Sequence, residues 1–353
     1  MSMRKHLAFI TLLLLCGLVH QPLAHAQTPV TQWDRSSAMA AVNSVDIDIA
    51  VSQIGDISSL HDGATTLLNL HTIETRSDWP LPAREAAIHQ FTRSLAQYPR
   101  ETVATEVMQY LRTYPTQVMV PHEDHGDASV PLFNIRGAAA GVENSWQRAE
   151  STIEAVKLLD KDPAALVATF TQATTHNQRA GTLDALRQAK TSDIEAVQNA
   201  ALENPVEPAT LAAILGVTTP ITTDTFAIQQ LLLHGQGPGL SSTLATLDKK
   251  LELSDTAALL TFAITEAPAG NATLAIAAWW PRLKHEADMR ELMLATLADP
   301  NLGASAALAL AQGPDIQTIK ALQDTAAGES IAAIRAQMAL DINRAQLVWE
   351  AQQ

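Results

Sequence analysis

Residues 272–280 read Ala-Thr-Leu-Ala-Ile-Ala-Ala-Trp-Trp, and residues 304–311 read Ala-Ser-Ala-Ala-Leu-Ala-Leu-Ala. Each segment follows a proline-containing turn, at Ala267-Pro268 and at Asp299-Pro300. Runs rich in alanine and leucine, without glycine or proline, are typical of helices that pack closely against neighbours. The repeated arrangement predicts that these two helices occupy equivalent positions in an array.

The surrounding residues extend this pattern over the C-terminal third of the chain. We predict three helix pairs, which are 256–266 with 272–280, 287–298 with 304–311, and 316–324 with 330–344. The first helices of the pairs recur about every 30 residues, a period typical of helical solenoids. Because similar amphipathic periods begin near residue 80, the sequence predicts an all-α fold, an α-solenoid of antiparallel helix pairs.

One segment near the N-terminus resembles a known repeat family. Ala83-Arg84-Glu85-Ala86-Ala87-Ile88, preceded by Trp79-Pro80, is similar to the second helix of a HEAT repeat, in the broad sense that includes armadillo-type repeats. The alanine-rich runs 306–310 and 339–340 match parts of the same helix, so the resemblance extends over residues 60–345. It implies a HEAT-like α-solenoid whose surface binds other molecules, and it implies no catalytic chemistry.

Two regions interrupt the helical pattern. Residues 45–51 alternate apolar and polar side chains like a strand, but they also fit the start of a helix, which we favour because the neighbouring segments are helical. Residues 113–141 contain several prolines and glycines without a helical period, so we predict one long irregular loop there. We also predict a single helical-repeat domain over 27–353, with 113–141 as the alternative position of a sub-boundary.

The first 26 residues have the pattern of a secretory signal peptide. Arg4 and Lys5 precede an apolar run over 7–19, and Ala24-His25-Ala26 provides a small-residue cleavage site. We therefore expect cleavage near Ala26 and a periplasmic or secreted mature chain, with an uncleaved anchor as the alternative. Cleavage would remove Cys16, the single cysteine, and no later segment is apolar enough for a transmembrane helix.

The composition excludes several classes of function. The chain has a formal net charge of −14, no run of Lys or Arg, and only 4% aromatic residues, so we expect no nucleic-acid partner. Because 47% of the residues are hydrophobic, the chain can form a large core and is not globally disordered. We find no catalytic or cofactor motif, so we predict no catalytic residue and no cofactor, and we favour a protein without enzymatic activity.

One short segment concentrates groups that can ligate metals. It reads Pro121-His122-Glu123-Asp124-His125-Gly126-Asp127. The candidate metal ligands are His122, Glu123, His125 and Asp127, since imidazoles and carboxylates both bind divalent cations. The histidines are one residue too close for the zinc motif His-Glu-x-x-His, and the flanking proline and glycine disfavour a helix. We favour a solvated polar loop, with a partner-binding loop or a metal site as the alternatives.

The adjacent residues Trp279 and Trp280 are candidate partner-binding residues. On a helix they point about 100° apart, so one narrow apolar stripe cannot bury both. One of them could project as a binding anchor, a role in which tryptophan is favoured. The alternative, which we favour, is a helix buried between two neighbours.

These observations predict a non-catalytic periplasmic scaffold or adaptor that binds a protein of the cell envelope through a helical-repeat surface. Two alternatives remain open at this point. One is a metal-assisted hydrolase that uses the loop 122–127, and the other is a binding protein for a small ligand or an envelope polymer.

Overall fold

The computed structural model describes residues 30–55, 59–125, 128–159, 161–204 and 206–350. The predicted signal peptide over 1–26 lies outside this part of the chain. The described residues are predominantly helical, with 74% helix and little strand, which confirms the predicted all-α class. The chain divides into two compact units, Met1–Trp146 and Gln147–Gln353, and each is described by itself.

Unit 1 combines helices with one small sheet. Its strands are β1 (Thr31–Gln32), β2 (Val118–Pro121) and β3 (Ser129–Pro131), and its α-helices are α1 (Arg35–Val42), α2 (Ile47–Ile54), α3 (Gly63–Glu74), α4 (Leu81–Ser94), α5 (Thr105–Thr113) and the first part of α6 (Ile135–Leu159). Two 3-10 turns, Leu95–Gln97 and Arg100–Thr102, connect α4 to α5. The division between the units falls within α6, beyond the sub-boundary considered near 113–141.

The ambiguous segment 45–51 forms a helix, as favoured from the sequence. Asp46 caps α2, because its carboxylate accepts a hydrogen bond from the backbone N–H of Ile49 at 3.2 Å. Other helices in both units begin with the same kind of aspartate cap. The aspartates that cap a helix in this way are Asp34, Asp46, Asp62, Asp162, Asp224 and Asp315. Aspartate suits this position because its side chain satisfies a backbone N–H that the first helical turn leaves unpaired.

The predicted irregular loop over 113–141 is wrong in part, because it contains two strands and the beginning of α6. β2 pairs parallel with β1, with Thr31 opposite Val118, and antiparallel with β3, with Val120 opposite Val130. Val118 and Val120, two residues apart, are both fully buried. Their spacing is the alternation that is typical of a short strand, and it can be seen in the sequence. β1 lies far away in the chain, and a sequence pattern cannot show which distant segment completes a sheet.

A buried carboxylate holds the sheet of unit 1 against α4. Glu85 is fully buried in α4, where its Oε1 accepts a hydrogen bond from the backbone N–H of Gln117 at 2.6 Å. Its Oε2 accepts a longer bond from the N–H of Val118 at 3.3 Å. Burial raises the pKa of Glu85 to about 7, although the two backbone hydrogen bonds oppose the increase. This carboxyl group therefore titrates near neutral pH, far above an exposed glutamate.

Unit 2 contains the remaining helices. They are the last part of α6, then α7 (Pro163–Gln172), α8 (His176–Gln188), α9 (Thr191–Glu203), α10 (Pro208–Thr222), α11 (Thr225–His234), α12 (Gly237–Asp248), α13 (Leu253–Glu266), α14 (Ala269–Leu283), α15 (Ala287–Thr296), α16 (Gly303–Ala311), α17 (Ile316–Ala326) and α18 (Ile331–Glu350). The helices α13 to α18 correspond to the predicted pairs of the C-terminal third. None of the helices in the described residues has the length and apolarity that crossing a membrane requires.

The packing of unit 2 follows a regular order. The helices α8, α10, α12, α14, α16 and α18 form a series in which each member packs against the next. Six pairs of consecutive helices also pack together, namely α7 with α8, α9 with α10, α10 with α11, α13 with α14, α15 with α16, and α17 with α18. Two apolar clusters fill the spaces between these helices, one over 155–214 and a larger one over 215–339.

The buried Glu85 makes the stability of unit 1 depend on pH. Because its pKa is raised on folding, the folded chain keeps this proton at pH values where the unfolded chain has lost it. The contribution of Glu85 to the free energy of unfolding should therefore fall between about pH 4.5 and 7, by roughly 3 kcal/mol.

Urea unfolding of the wild type and of Glu85→Gln at several pH values tests this prediction. The difference between the two free energies of unfolding should change across this range. Glu101→Gln alters an exposed glutamate of the same unit and should follow the wild type. A difference for Glu85→Gln that stays constant with pH would contradict the prediction.

Candidate functional site

Residues 122–125 of the histidine-rich segment lie between β2 and β3. The backbone N–H of His122 donates to Ala128 O at 2.8 Å, and the rings of His122 and His125 are stacked with centroids 5.1 Å apart. Glu123 forms an exposed ion pair with Arg35 at 3.5 Å. Asp127 lies outside the described residues.

This turn provides only part of the ligand set considered from the sequence. Nδ1 of His122 accepts a hydrogen bond from the backbone N–H of Asp124 at 3.1 Å, so this nitrogen already has a partner. Among the residues described, no group of three or more histidine, cysteine or acidic side chains is arranged to hold a metal ion. The metal-assisted hydrolase therefore gains no support from the described part of this turn.

Both tryptophans are buried, as the favoured interpretation of a helix between two neighbours predicted, so neither candidate residue projects as a partner-binding anchor. Trp279 is fully buried and Trp280 is 2% exposed. The indole N–H of Trp279 donates to Leu244 O on α12 at 3.2 Å, which satisfies its polar atom inside the core. The two side chains can point in different directions and both be buried because α14 packs against α12, α13 and α16.

Unit 2 contains a groove that the sequence analysis did not identify. Its volume is about 600 Å³, within the range of ligand-binding clefts. Residues of α8, α10, α11 and α12 line it, together with the turn between α11 and α12. We call it the α10 groove, because its floor consists largely of small and apolar residues of α10, which are Ala209, Ala212, Ala213, Gly216, Val217, Pro220 and Ile221.

A proline inside α10 shapes the wall of this groove. Pro220 has no backbone N–H, so the carbonyl of Gly216, four residues earlier, receives no hydrogen bond within the helix. Thr243 of α12 supplies a donor for this carbonyl, since its hydroxyl lies 3.1 Å from Gly216 O, and it shares its single proton with Gly239 O of its own helix at 3.0 Å. A second bond reaches α10 from the turn after α12, where Lys250 Nζ donates to Pro220 O at 2.5 Å. These two bonds hold α10 against α12 and the turn that follows it, along one side of the groove.

The ionisable groups that line the groove are basic residues, although the whole chain is acidic. Arg187 and His234 line the groove, and none of its lining residues in the described part of unit 2 carries a carboxylate. Arg187 shares Asp184 with Arg148, at distances of 2.7 and 2.5 Å. The hydrogen bond from Arg148 and the nearby positive charges lower the pKa of Asp184, so this carboxylate is ionised at neutral pH. Two guanidinium groups against one carboxylate leave a net positive charge beside an apolar groove.

The sequence signal for this groove is carried by glycines. Gly216 lies inside α10 and contributes to the groove floor. In the glycine-rich run 235–239, Gly235 follows the end of α11 and α12 already begins at Gly237, with φ of +62°. A glycine inside an otherwise apolar helical pattern leaves a gap on the helix surface. It is the sequence feature that could have indicated this groove.

Comparison of the chain with protein-family models, with curated proteins and with solved structures finds no match.

The hydroxyl of Thr243 should stabilise unit 2 measurably. Thr243→Val keeps the shape of the side chain but leaves Gly216 O without a donor, so we expect a loss of about 1–2 kcal/mol in urea unfolding. Thr246→Val is the matched control, because its exposed hydroxyl donates only to Ser242 O in its own helix. That control should change the free energy of unfolding by less than about 0.5 kcal/mol. Equal effects for the two variants would exclude the proposed role of Thr243.

The burial of Trp279 predicts a structural role. Trp279→Ala should lose about 3–5 kcal/mol in the free energy of unfolding, because it leaves a large cavity. Phe226→Ala removes an aromatic side chain that is 56% exposed in the same unit, and it should cost less than about 1 kcal/mol. Thermal and urea unfolding measure both effects. A Trp279→Ala protein as stable as the wild type would mean that this side chain is not part of the core.

Proposed function

We propose that the chain is a non-catalytic helical scaffold that binds a protein partner through the α10 groove. The observation that carries this proposal is the groove itself, an open apolar cleft of about 600 Å³ lined by successive helices of one unit. Clefts of this kind between helices receive amphipathic helices of other proteins. Glycine and alanine on its floor allow the backbone of a bound helix to approach closely.

The order of packing in unit 2 supports a repeat architecture as part of this proposal. We infer that the series α8, α10, α12, α14, α16 and α18 forms one layer of a HEAT-like solenoid of antiparallel pairs. Solenoids of this kind typically bind proteins along an extended layer of helices. We also propose a periplasmic location for the mature chain, which rests on the signal-like pattern of residues 1–26.

The charge of the groove specifies the chemistry of the partner. We infer a partner helix with an apolar face and an acidic residue placed to meet Arg187. An acidic side chain there would pair with the positive charge that Asp184 leaves uncompensated. Because the scaffold has a net charge of −14, a partner with several acidic residues outside this contact would be repelled elsewhere. The expected partner segment is therefore mostly apolar and carries few charges.

Binding of designed helical peptides tests both the groove and its charge preference. Two fluorescent peptides share an apolar face and differ in one residue at its edge, which is glutamate in one and lysine in the other. The glutamate peptide should bind at least about 10-fold more tightly, and Arg187→Glu should abolish this preference. Binding of neither peptide, or equal binding of both, would contradict the proposed partner chemistry.

Photocrosslinking in the native envelope then tests whether the groove is used. A photoreactive amino acid replaces Ala212 on the groove floor, and in the control it replaces Ala277, an exposed alanine of α14. A protein partner should crosslink from position 212 only, and the filled variant Ala212→Trp should weaken binding of that purified partner at least about 10-fold. An adduct of lipid or small-molecule mass at position 212 would instead support a ligand-binding protein.

A further inference from the structure

Unit 1 contains another cleft, and none of its lining residues lines the α10 groove. We call it the α4 cleft, because Ala86, His89 and Arg93 of α4 form part of its wall. Residues of α1 and α2 and Phe133, in the turn before α6, complete the lining. The volume of the cleft is about 550 Å³, within the range of clefts that hold small molecules.

The floor of the α4 cleft is apolar. Val42 of α1 and Ala86 are 8% and 5% exposed, so they belong to the core beneath the cleft. Phe133 is half-buried, and its ring is tilted against the ring of His89 with centroids 5.5 Å apart. Met39 of α1 lines the same cleft with a flexible thioether, which packs favourably against aromatic rings. This surface therefore suits a flat aromatic group of a ligand.

Two nitrogen-bearing side chains at the α4 cleft have no partner. His89 and Arg93 are four residues apart on α4, so they are neighbours on one side of the helix. Within the described residues, neither the imidazole nor the guanidinium forms a hydrogen bond or an ion pair. Most other arginines of this part of the chain donate to a carboxylate or a carbonyl.

The unpaired guanidinium specifies the charge of a ligand. No carboxylate lines the α4 cleft in the described part of unit 1. Asp48 of α2 does not line it, and this carboxylate accepts a hydrogen bond from the side-chain amide of Gln90 at 2.6 Å. Guanidinium groups bind carboxylates through two parallel hydrogen bonds, so Arg93 can take one carboxylate of a ligand in this way.

The protonation of His89 depends on what occupies the cleft. Burial, and then the positive charge of Arg93, lower the pKa of His89, so its imidazole is neutral at neutral pH. The lining residues from α1, α2 and the turn before α6 are Met39, Val42, Ile47 and Phe133, and none of them ionises. A carboxylate on Arg93 would offset the charge of the guanidinium and favour the protonated imidazole.

We propose that the α4 cleft binds a small aryl carboxylate, whose carboxylate contacts Arg93 and His89 and whose ring lies against Phe133 and the apolar floor. A single negative charge agrees with the net charge of −14, which would repel a polyanion. The inference goes beyond the proposed function, because it concerns a small molecule and unit 1. It does not depend on the α10 groove.

An NMR titration of the full chain with phenylacetate tests the class of ligand. Phenylacetate should bind with a dissociation constant of about 1 mM or lower, an affinity that is ordinary for a ligand of this size. Acetate lacks the ring and phenylacetamide lacks the charge, so each should bind at least about 10-fold more weakly. Absence of phenylacetate binding would overturn the proposal. Equal binding of inorganic phosphate and phenylacetate would show recognition of charge alone and would equally overturn it.

Substitution of Arg93 tests the location of the ligand. Arg93→Gln should weaken the binding of phenylacetate at least about 10-fold, because it removes the charged partner of the carboxylate. Arg100→Gln is the matched control, since Arg100 is an exposed arginine of the same unit outside the cleft lining. That control should bind phenylacetate like the wild type. Binding that Arg93→Gln leaves unchanged would place the ligand elsewhere and overturn the proposed site.

The pH dependence of binding tests the contact with His89. Phenylacetate stays ionised between about pH 5.5 and 7.5, because carboxylic acids have pKa values of about 4. The bound carboxylate favours the imidazolium, so binding takes up a proton and should strengthen at least about 3-fold as the pH falls across this range. His89→Gln should abolish this increase. The titration of Glu85 is common to both proteins and cancels in the comparison. An equal increase in both proteins would overturn the contact.

Discussion

The structure of unit 2 depends on hydrogen bonds that side chains donate to carbonyl groups at the ends of other helices. The last carbonyls of every helix lack donors within that helix. Asn271 donates to the carbonyls of Leu232 and Gly235 at the end of α11, at 2.8 and 2.9 Å. Arg282 similarly donates to the carbonyl of Asp248, the last residue of α12, and to that of Leu251 in the turn that follows. Each such bond satisfies a buried acceptor and fixes the distance between neighbouring helices.

The same constraint explains where glycine is required. A Cβ atom at Gly303 would lie 1.9 Å from Nη1 of Arg335, so a side chain there would block the bonds of Arg335 to the end of α15. At Gly181 on α8, a Cβ atom would lie 2.3 Å from the carbonyl oxygen of Arg148 on α6. These two glycines permit close approach between helices, whereas a Cβ at Gly216 would meet only Thr243 Oγ1, at an ordinary contact distance of 3.8 Å, and Gly216 becomes part of a groove. One residue type therefore has two different roles in the same unit, and only the packing distinguishes them.

Much of the helical structure could be predicted from local patterns, and the candidate site could not. Asp162 directly before Pro163 is a local signal for the start of α7, and it is readable because capping depends on residues within one turn. Ser192 and Glu195 have the three-residue spacing of a capping box, but α9 begins at Thr191 without a side-chain cap. The α10 groove depends on which helices become neighbours, and the burial of Trp279 depends on α12. Such contacts between distant segments leave no periodic signal in one sequence.

The number of residues between the partners of each cross-helix hydrogen bond also affects how the chain folds. The bond from Thr243 spans 27 residues, that from Arg282 to Leu251 spans 31, and that from Asn343 to Ala311 spans 32. Helical proteins dominated by contacts of short sequence separation have low contact order and fold rapidly. Unit 2 can therefore add one helix at a time to an existing edge, without first closing a long loop. A chain that emerges gradually from its N-terminal end could complete each of these contacts soon after the second partner appears.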